Sequence, residues 1–210
     1  MKIALMNGSP KIKDSASGIL LDELKSLRRD DCITEYNFHT PILPSEMNLE
    51  EFAQQDAAVF AFPLYVDGIP SHLVNCLCQL EKYLIMHPSN LIIYAVVNCG
   101  FFEGNQNRYA LEIMKNWCVR CGLKWGQGVG IGGGGMLPGL QGVPVGKGPR
   151  KNFSAAMNQL SEHITVGKNA EDIYVSPNVP RFAYKMGAEV EWRQQIKANG
   201  LSEKDLFRKL

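Results

Sequence analysis

The chain has 210 residues, of which 45% are hydrophobic and 20% charged, the proportions of a globular domain with an ample core. A formal net charge of +1, with no polybasic run, argues against a nucleic-acid partner. No apolar segment reaches the roughly 18 residues of a membrane span, and the N-terminus reads as a strand rather than a signal peptide, so a cytoplasmic protein is expected.

The first strand is Ile3, Ala4, Leu5 and Met6, an apolar run suited to burial on both faces. Asn7, Gly8, Ser9 and Pro10 then bend the chain, and Leu20, Leu21, Leu24 and Leu27 recur at helical spacing. A strand, a hydroxyl-rich loop and a helix N-terminus in that order make an anion site, because free N–H groups and the helix dipole both face the loop. Ser9, Ser15 and Ser17 supply hydroxyls, and Lys11 and Lys13 supply positive charge. That set suits a phosphate monoester, although an ordinary capped turn uses the same residue types. Neither a Walker A loop nor G-x-G-x-x-G occurs here.

Residues 33–38 (ITEYNF) alternate as a second strand, and residues 48–55 suggest a short helix. Asp56 to Phe62 reads as a third, buried strand that Pro63 ends. After FPLYVDGIP, Leu73, Val74, Leu77, Leu80 and Leu84 mark an amphipathic helix with Pro70 at its start. Leu91 to Val97 is a fourth strand, rich in β-branched residues. NCGFFEGNQ follows, then a helix from about residue 105 to Cys121. Leu123 to Ile131 reads as a fifth strand weakened by glycines, and residues 132–149 as a long Gly/Pro loop. The two G-x-G-x-x-G matches in GQGVGIGGGG arise from the glycine run alone, and no helix opens after them; the run is a close backbone approach to a ligand, a mobile lid or a plain loop. Phe153, Ala156, Met157, Leu160 and Ile164 define the next helix. Beyond Pro177 and Pro180 a C-terminal helix ends near Gly200, and Ser202 with Asp205 resembles a capping box.

Five strands separated by helices describe an α/β doubly wound parallel sheet with helices on both faces and a helical C-terminal tail. The expected division is a domain over residues 1–166 and an extension over 167–210. Ligands of such sheets bind beyond the carboxyl ends of the strands, at a switch point, which singles out the loops after strands one, three and four. The six cysteines show no ligand spacing for a metal: Cys76 and Cys78 lie on opposite helix faces, and Cys118 and Cys121 share a core face. His39, His72, His87 and His163 have no mutual spacing that suggests a metal or a triad.

GSPKIKDSAS, FPLYVDGIPSHL and NCGFFEG together resemble the three flavin loops of the flavodoxin-like NAD(P)H-dependent FMN reductase family. The resemblance covers roughly residues 1–165 and implies a flavodoxin-like five-stranded sheet of order 2-1-3-4-5 with bound FMN. It assigns the phosphate to Ser9, Lys11, Ser15 and Ser17, and the isoalloxazine to Pro63, Leu64, Tyr65, Val66 and Asp67. Asn98, Cys99, Gly100 and Phe101 match the third loop, beside either the dimethylbenzene or the pyrimidine edge, and their N–H groups, read as opening a helix, are expected to stabilise the charge that reduced flavin gathers. Tyr65 is expected to set the ring's position and Cys99 to be a buried thiol rather than a redox group.

The implied activity is hydride transfer from the co-substrate NAD(P)H through FMN to a small-molecule acceptor such as a quinone or flavin. The flavin carries the chemistry, so no catalytic side chain and no metal are assigned. The alternative is a flavodoxin-type electron carrier without turnover of its own; such carriers are usually strongly acidic, which +1 does not match. The family also implies a homodimer, for which Phe182, Tyr184, Met186 and Trp192 in the tail offer apolar surface.

Overall fold

A computed structural model describes residues 1–207. The strands β1 (Lys2–Asn7), β2 (Cys32–Asn37), β3 (Ala57–Pro63), β4 (Ile92–Asn98), β5 (Lys124–Ile131) and β6 (Ile173–Val175) form one sheet. Their order is β2-β1-β3-β4-β5-β6, and every pairing is parallel. The expected order 2-1-3-4-5 is therefore extended by a sixth strand. Residues 167–177, assigned from sequence to the tail, include β6 and close the sheet edge beside β5. Compactness divides the chain at Met1–Pro177 and Asn178–Leu210, not at residue 166.

The helices are α1 (Ala16–Leu27), α2 (Leu49–Ala53), α3 (Ser71–Met86), α4 (Arg108–Cys121), α5 (Lys151–Val166) and α6 (Arg181–Ala198). Parallel strands need crossovers, and α1 and α5 cover one face of the sheet while α3 and α4 cover the other. On one face Leu20 and Leu24 of α1 and Phe153, Met157 and Leu160 of α5 meet Leu5, Val59 and Val96. On the other, Leu73, Leu77 and Leu80 of α3 and Met114, Trp117 and Cys118 of α4 meet Phe60, Phe62 and Val97. Phe60 and Trp117 pack edge to face, with centroids 5.8 Å apart. Cys118 and Cys121 belong to this core, and burial pushes the Cys121 thiol up to about 12.

The glycines of β5 have a packing reason. A Cβ on Gly126 would lie 2.3 Å from the Tyr94 ring, at the point where the β4–β5 register shifts. Gly128 and Gly130 make the same room for Leu111 and Tyr174. The run GQGVG is thus strand, with no phosphate-binding turn inside it. In the second unit, α6 has no buried residue, and Phe182, Met186, Val190 and Trp192 are exposed. The carboxylate of Asp205 accepts from both N–H and hydroxyl of Ser202, which opens a 3-10 turn over Glu203–Phe207.

Candidate functional site at the switch point

The carboxyl ends of β1, β3 and β4 surround a cavity of about 220 Å³. Its lining includes Ser9, Lys11 and Ser17 from the first loop, Pro63, Leu64 and Tyr65 from the second, and Asn98, Cys99 and Gly100 from the third. Three loops far apart in sequence therefore meet as the topology requires, because β1 and β3 are neighbours whose connections leave in opposite directions. Gly134 and Gly135, just past β5, complete the wall. The volume falls below the roughly 300–1,000 Å³ of pockets that engulf a whole ligand. Tyr65, half-exposed, is part of the cavity wall.

Ser9, Ser15 and Ser17 are all buried. Ser9 Oγ accepts from the Lys11 N–H at 3.2 Å, Ser15 Oγ from the Gly18 N–H at 3.0 Å, and Ser17 Oγ from Asn98 Nδ2 at 2.9 Å. None of the three donates to a protein acceptor among the described residues, so each keeps a proton for an outside acceptor. Among the described residues, no protein acceptor takes the backbone N–H groups of residues 12–17 either, which precede or open α1. This is a run of donors at the positive end of a helix dipole.

Four of the expected residues sit elsewhere. Ser15 is the N-cap of α1, so its oxygen turns to the helix's own first turn. It lines a second cavity of about 590 Å³ between α1, β1, β2 and residues 141–150, together with Asp14, Asp22, Glu23 and Glu35. Val66 and Asp67 occupy the left-handed region, at φ 48° and 58°. Between them Tyr65 and Gly68 exchange both backbone hydrogen bonds, at 3.1 and 3.0 Å, in a tight turn that leaves Val66 fully exposed. Phe101 is also exposed and outside the cavity lining.

The third loop differs from expectation in its polarity. The Cys99 N–H donates to the Ile131 carbonyl at 2.9 Å, so it cannot serve an anionic ligand edge. Helical structure also starts later, with a 3-10 turn at Gly104–Asn107. The Cys99 thiol is buried beside Asn107 Nδ2, and burial holds its pKa above the ordinary thiol value. Gly134 and Gly135, from the glycine run, line the cavity, as do Ala16 and Pro138, which no sequence signal marked. Among the described residues, no group of three or more His, Cys, Asp or Glu side chains could hold a metal ion.

No protein-family model matches the chain, and no curated protein matches it. Among solved structures it is similar to a short-chain flavodoxin associated with a non-canonical PDU bacterial microcompartment. The TM-score is 0.51 at 14% identity, over 80% of this chain and 99% of that one. The fold is flavodoxin-like. A second similar structure is rubredoxin oxygen:oxidoreductase from the anaerobe Desulfovibrio gigas, with TM-score 0.50 at 15% identity. That match covers 78% of this chain but 34% of the longer protein. At these identities the flavodoxin-like likeness concerns the backbone; the side-chain chemistry of the cavity is this chain's own.

Proposed function

We propose that the protein binds FMN at the switch-point cavity and acts as an oxidoreductase, taking hydride from NAD(P)H and passing electrons to a small-molecule acceptor. The observation that carries this reading is the donor set. Ser9 and Ser17 each present an unused hydroxyl proton beside Lys11, at the start of a helix whose first N–H groups are unengaged. A phosphate monoester needs many donors around one dianion, and this set fits it. Pro63, Leu64 and Tyr65 would flank the ring, and Cys99 would contribute a small neutral surface. When bound, the flavin supplies the capacity to accept hydride. The protein binds, orients and shields.

The phosphate assignment is tested by comparing FMN with riboflavin on the full chain, using quenching of flavin fluorescence. Each hydroxyl donor to a dianion is worth about 1.5–3 kcal/mol, so Ser9→Ala with Ser17→Ala together should weaken FMN roughly 10²- to 10⁴-fold. Riboflavin, which lacks the phosphate, should change far less. Equal losses for both ligands would refute the assignment. Anaerobic stopped-flow mixing of the FMN-loaded protein with NADH and NADPH then tests the activity. Rapid bleaching supports the oxidoreductase, whereas no bleaching with either nucleotide would leave the electron-carrier reading.

A further inference from the structure

Two histidines lie beneath the first loop. His39 Nδ1 is 2.9 Å from the Ser9 carbonyl oxygen, and His72 Nε2 is 3.2 Å from the Gly8 carbonyl oxygen. Both rings are half-buried. His39 follows the buried Phe38 just past β2, while His72 stands in the first turn of α3. They are 33 residues apart in sequence, and the fold brings them to consecutive carbonyls of one loop. A carbonyl oxygen only accepts, so each facing nitrogen must carry a hydrogen: Nδ1–H in His39 and Nε2–H in His72.

These bonds fix the first two peptide planes after Gly8. The Gly8–Ser9 peptide is held at both ends, its oxygen by His72 and its N–H by Asn7 Oδ1 at 3.1 Å. The Ser9–Pro10 peptide has no N–H, so its oxygen is the one polar group by which it can be held, and His39 holds it. Released, either oxygen could rotate toward the anion site, where its lone pairs would oppose a phosphate. Held, they leave the Ser9 hydroxyl and the N–H groups of residues 12–17 as the unengaged donors of the loop.

We propose that His39 and His72 are positioning residues of the anion site, turning the Gly8 and Ser9 carbonyls away from the bound phosphate. This rests on the phosphate reading above. The geometry also specifies which nitrogen matters. An Asn amide nitrogen sits near the place of Nδ1, and a Gln amide nitrogen near the place of Nε2.

The test is the affinity of the full-length protein for FMN and for riboflavin. His39→Ala and His72→Ala should each weaken FMN about tenfold, as expected for one hydrogen bond, and move riboflavin less than about twofold. His39→Asn and His72→Gln should restore FMN to within about threefold of the starting protein. The exchanged pair, His39→Gln and His72→Asn, puts the N–H at the wrong place and should bind FMN as poorly as the alanine variants. These four polar variants keep the test decisive where an alanine variant fails to fold. Parallel losses for both flavins, or equal binding by matched and exchanged amides, would overturn the proposal. An unsubstituted protein that binds FMN no better than riboflavin would instead remove the phosphate reading itself.

Discussion

Arg150 offers a direct probe of what holds the loop after β5 against the rest of the domain. Its Nη2 donates to Glu23 Oε2 at 2.6 Å, and its Nη1 to the Val143 carbonyl at 3.2 Å. The side chains are 8% and 2% exposed, so this ion pair between the start of α5 and the middle of α1 is desolvated. Glu23 Oε1 and Arg150 Nε have no protein partner among the described residues, so the pair is also incompletely satisfied. Arg150→Met keeps most of the stem and removes the charge, leaving a buried carboxylate alone. Such a loss costs about 3–5 kcal/mol. For a domain of this size each kcal/mol moves Tm by about 2–4 °C, which gives a drop of roughly 6–20 °C. Adding Glu23→Leu removes the orphaned charge, so the double variant should recover most of that loss although it carries two substitutions. Thermal and urea unfolding of the two variants decide the matter. A single variant within about 1 kcal/mol of the parent, or a double variant less stable than the single one, would refute the reasoning.

Two further outcomes follow from local geometry. Val66 sits at φ 48° with its side chain in solvent, so Val66→Gly relieves about 1–2 kcal/mol of left-handed strain and loses no packing. Glycine's extra freedom in the unfolded chain offsets about 0.5–1 kcal/mol, leaving a net gain of about 0–1.5 kcal/mol; a lowered urea midpoint would contradict this. Burial, and then the Glu35 carboxylate, raise the Asp22 pKa above 3.8, with Lys25 opposing. A raised carboxylate pKa means that the ionised group disfavours folding at neutral pH. That penalty fades as pH falls through the raised value and is gone below 3.8. Asp22→Asn should therefore stabilise the protein at neutral pH and lose that advantage near about pH 3, as measured by urea unfolding across the range. A constant difference at every pH would sink this account.

The strands and the three loops were legible because their signals are local. LIIYAVV can bury both faces of a central strand, and turn residues after β1, β3 and β4 mark the carboxyl ends where ligands bind. What was not legible depends on partners distant in sequence. Ile173–Val175 is too short to declare itself, and it becomes a strand by pairing with β5. Ser15 could be a helix cap or a ligand donor, since both uses place a serine at the same position; the geometry makes it a cap and turns it to the neighbouring cavity. The D-G pair in PLYVDGIP signals a turn, but nothing in it says that Val66 accepts the left-handed region and points into solvent. His39 and His72 share no sequence spacing, so the loop they hold is visible only once β2 and α3 are in place.

The glycine-rich stretch shows how backbone room at one position fixes chemistry at another. A Cβ on Gly134 would lie 2.9 Å from Asn98 Oδ1, with the rest of the Asn98 side chain close behind. Asn98 is buried at the end of β4, and its Nδ2 donates both to the Phe62 carbonyl at 3.2 Å and to Ser17 Oγ at 2.9 Å. The bond to Ser17 occupies one of the oxygen's two lone pairs and leaves its O–H free to point into the cavity. Gly134, which follows a strand three positions from β1 in the sheet, thus permits the asparagine position that orients a hydroxyl in α1. The Gly134 N–H in turn donates to the Cys99 carbonyl at 2.7 Å, tying that glycine to the third loop. Three segments that sequence reading treats separately are therefore one hydrogen-bonded unit. A side chain at residue 134 would disturb the donor set at Ser17 before it touched any ligand.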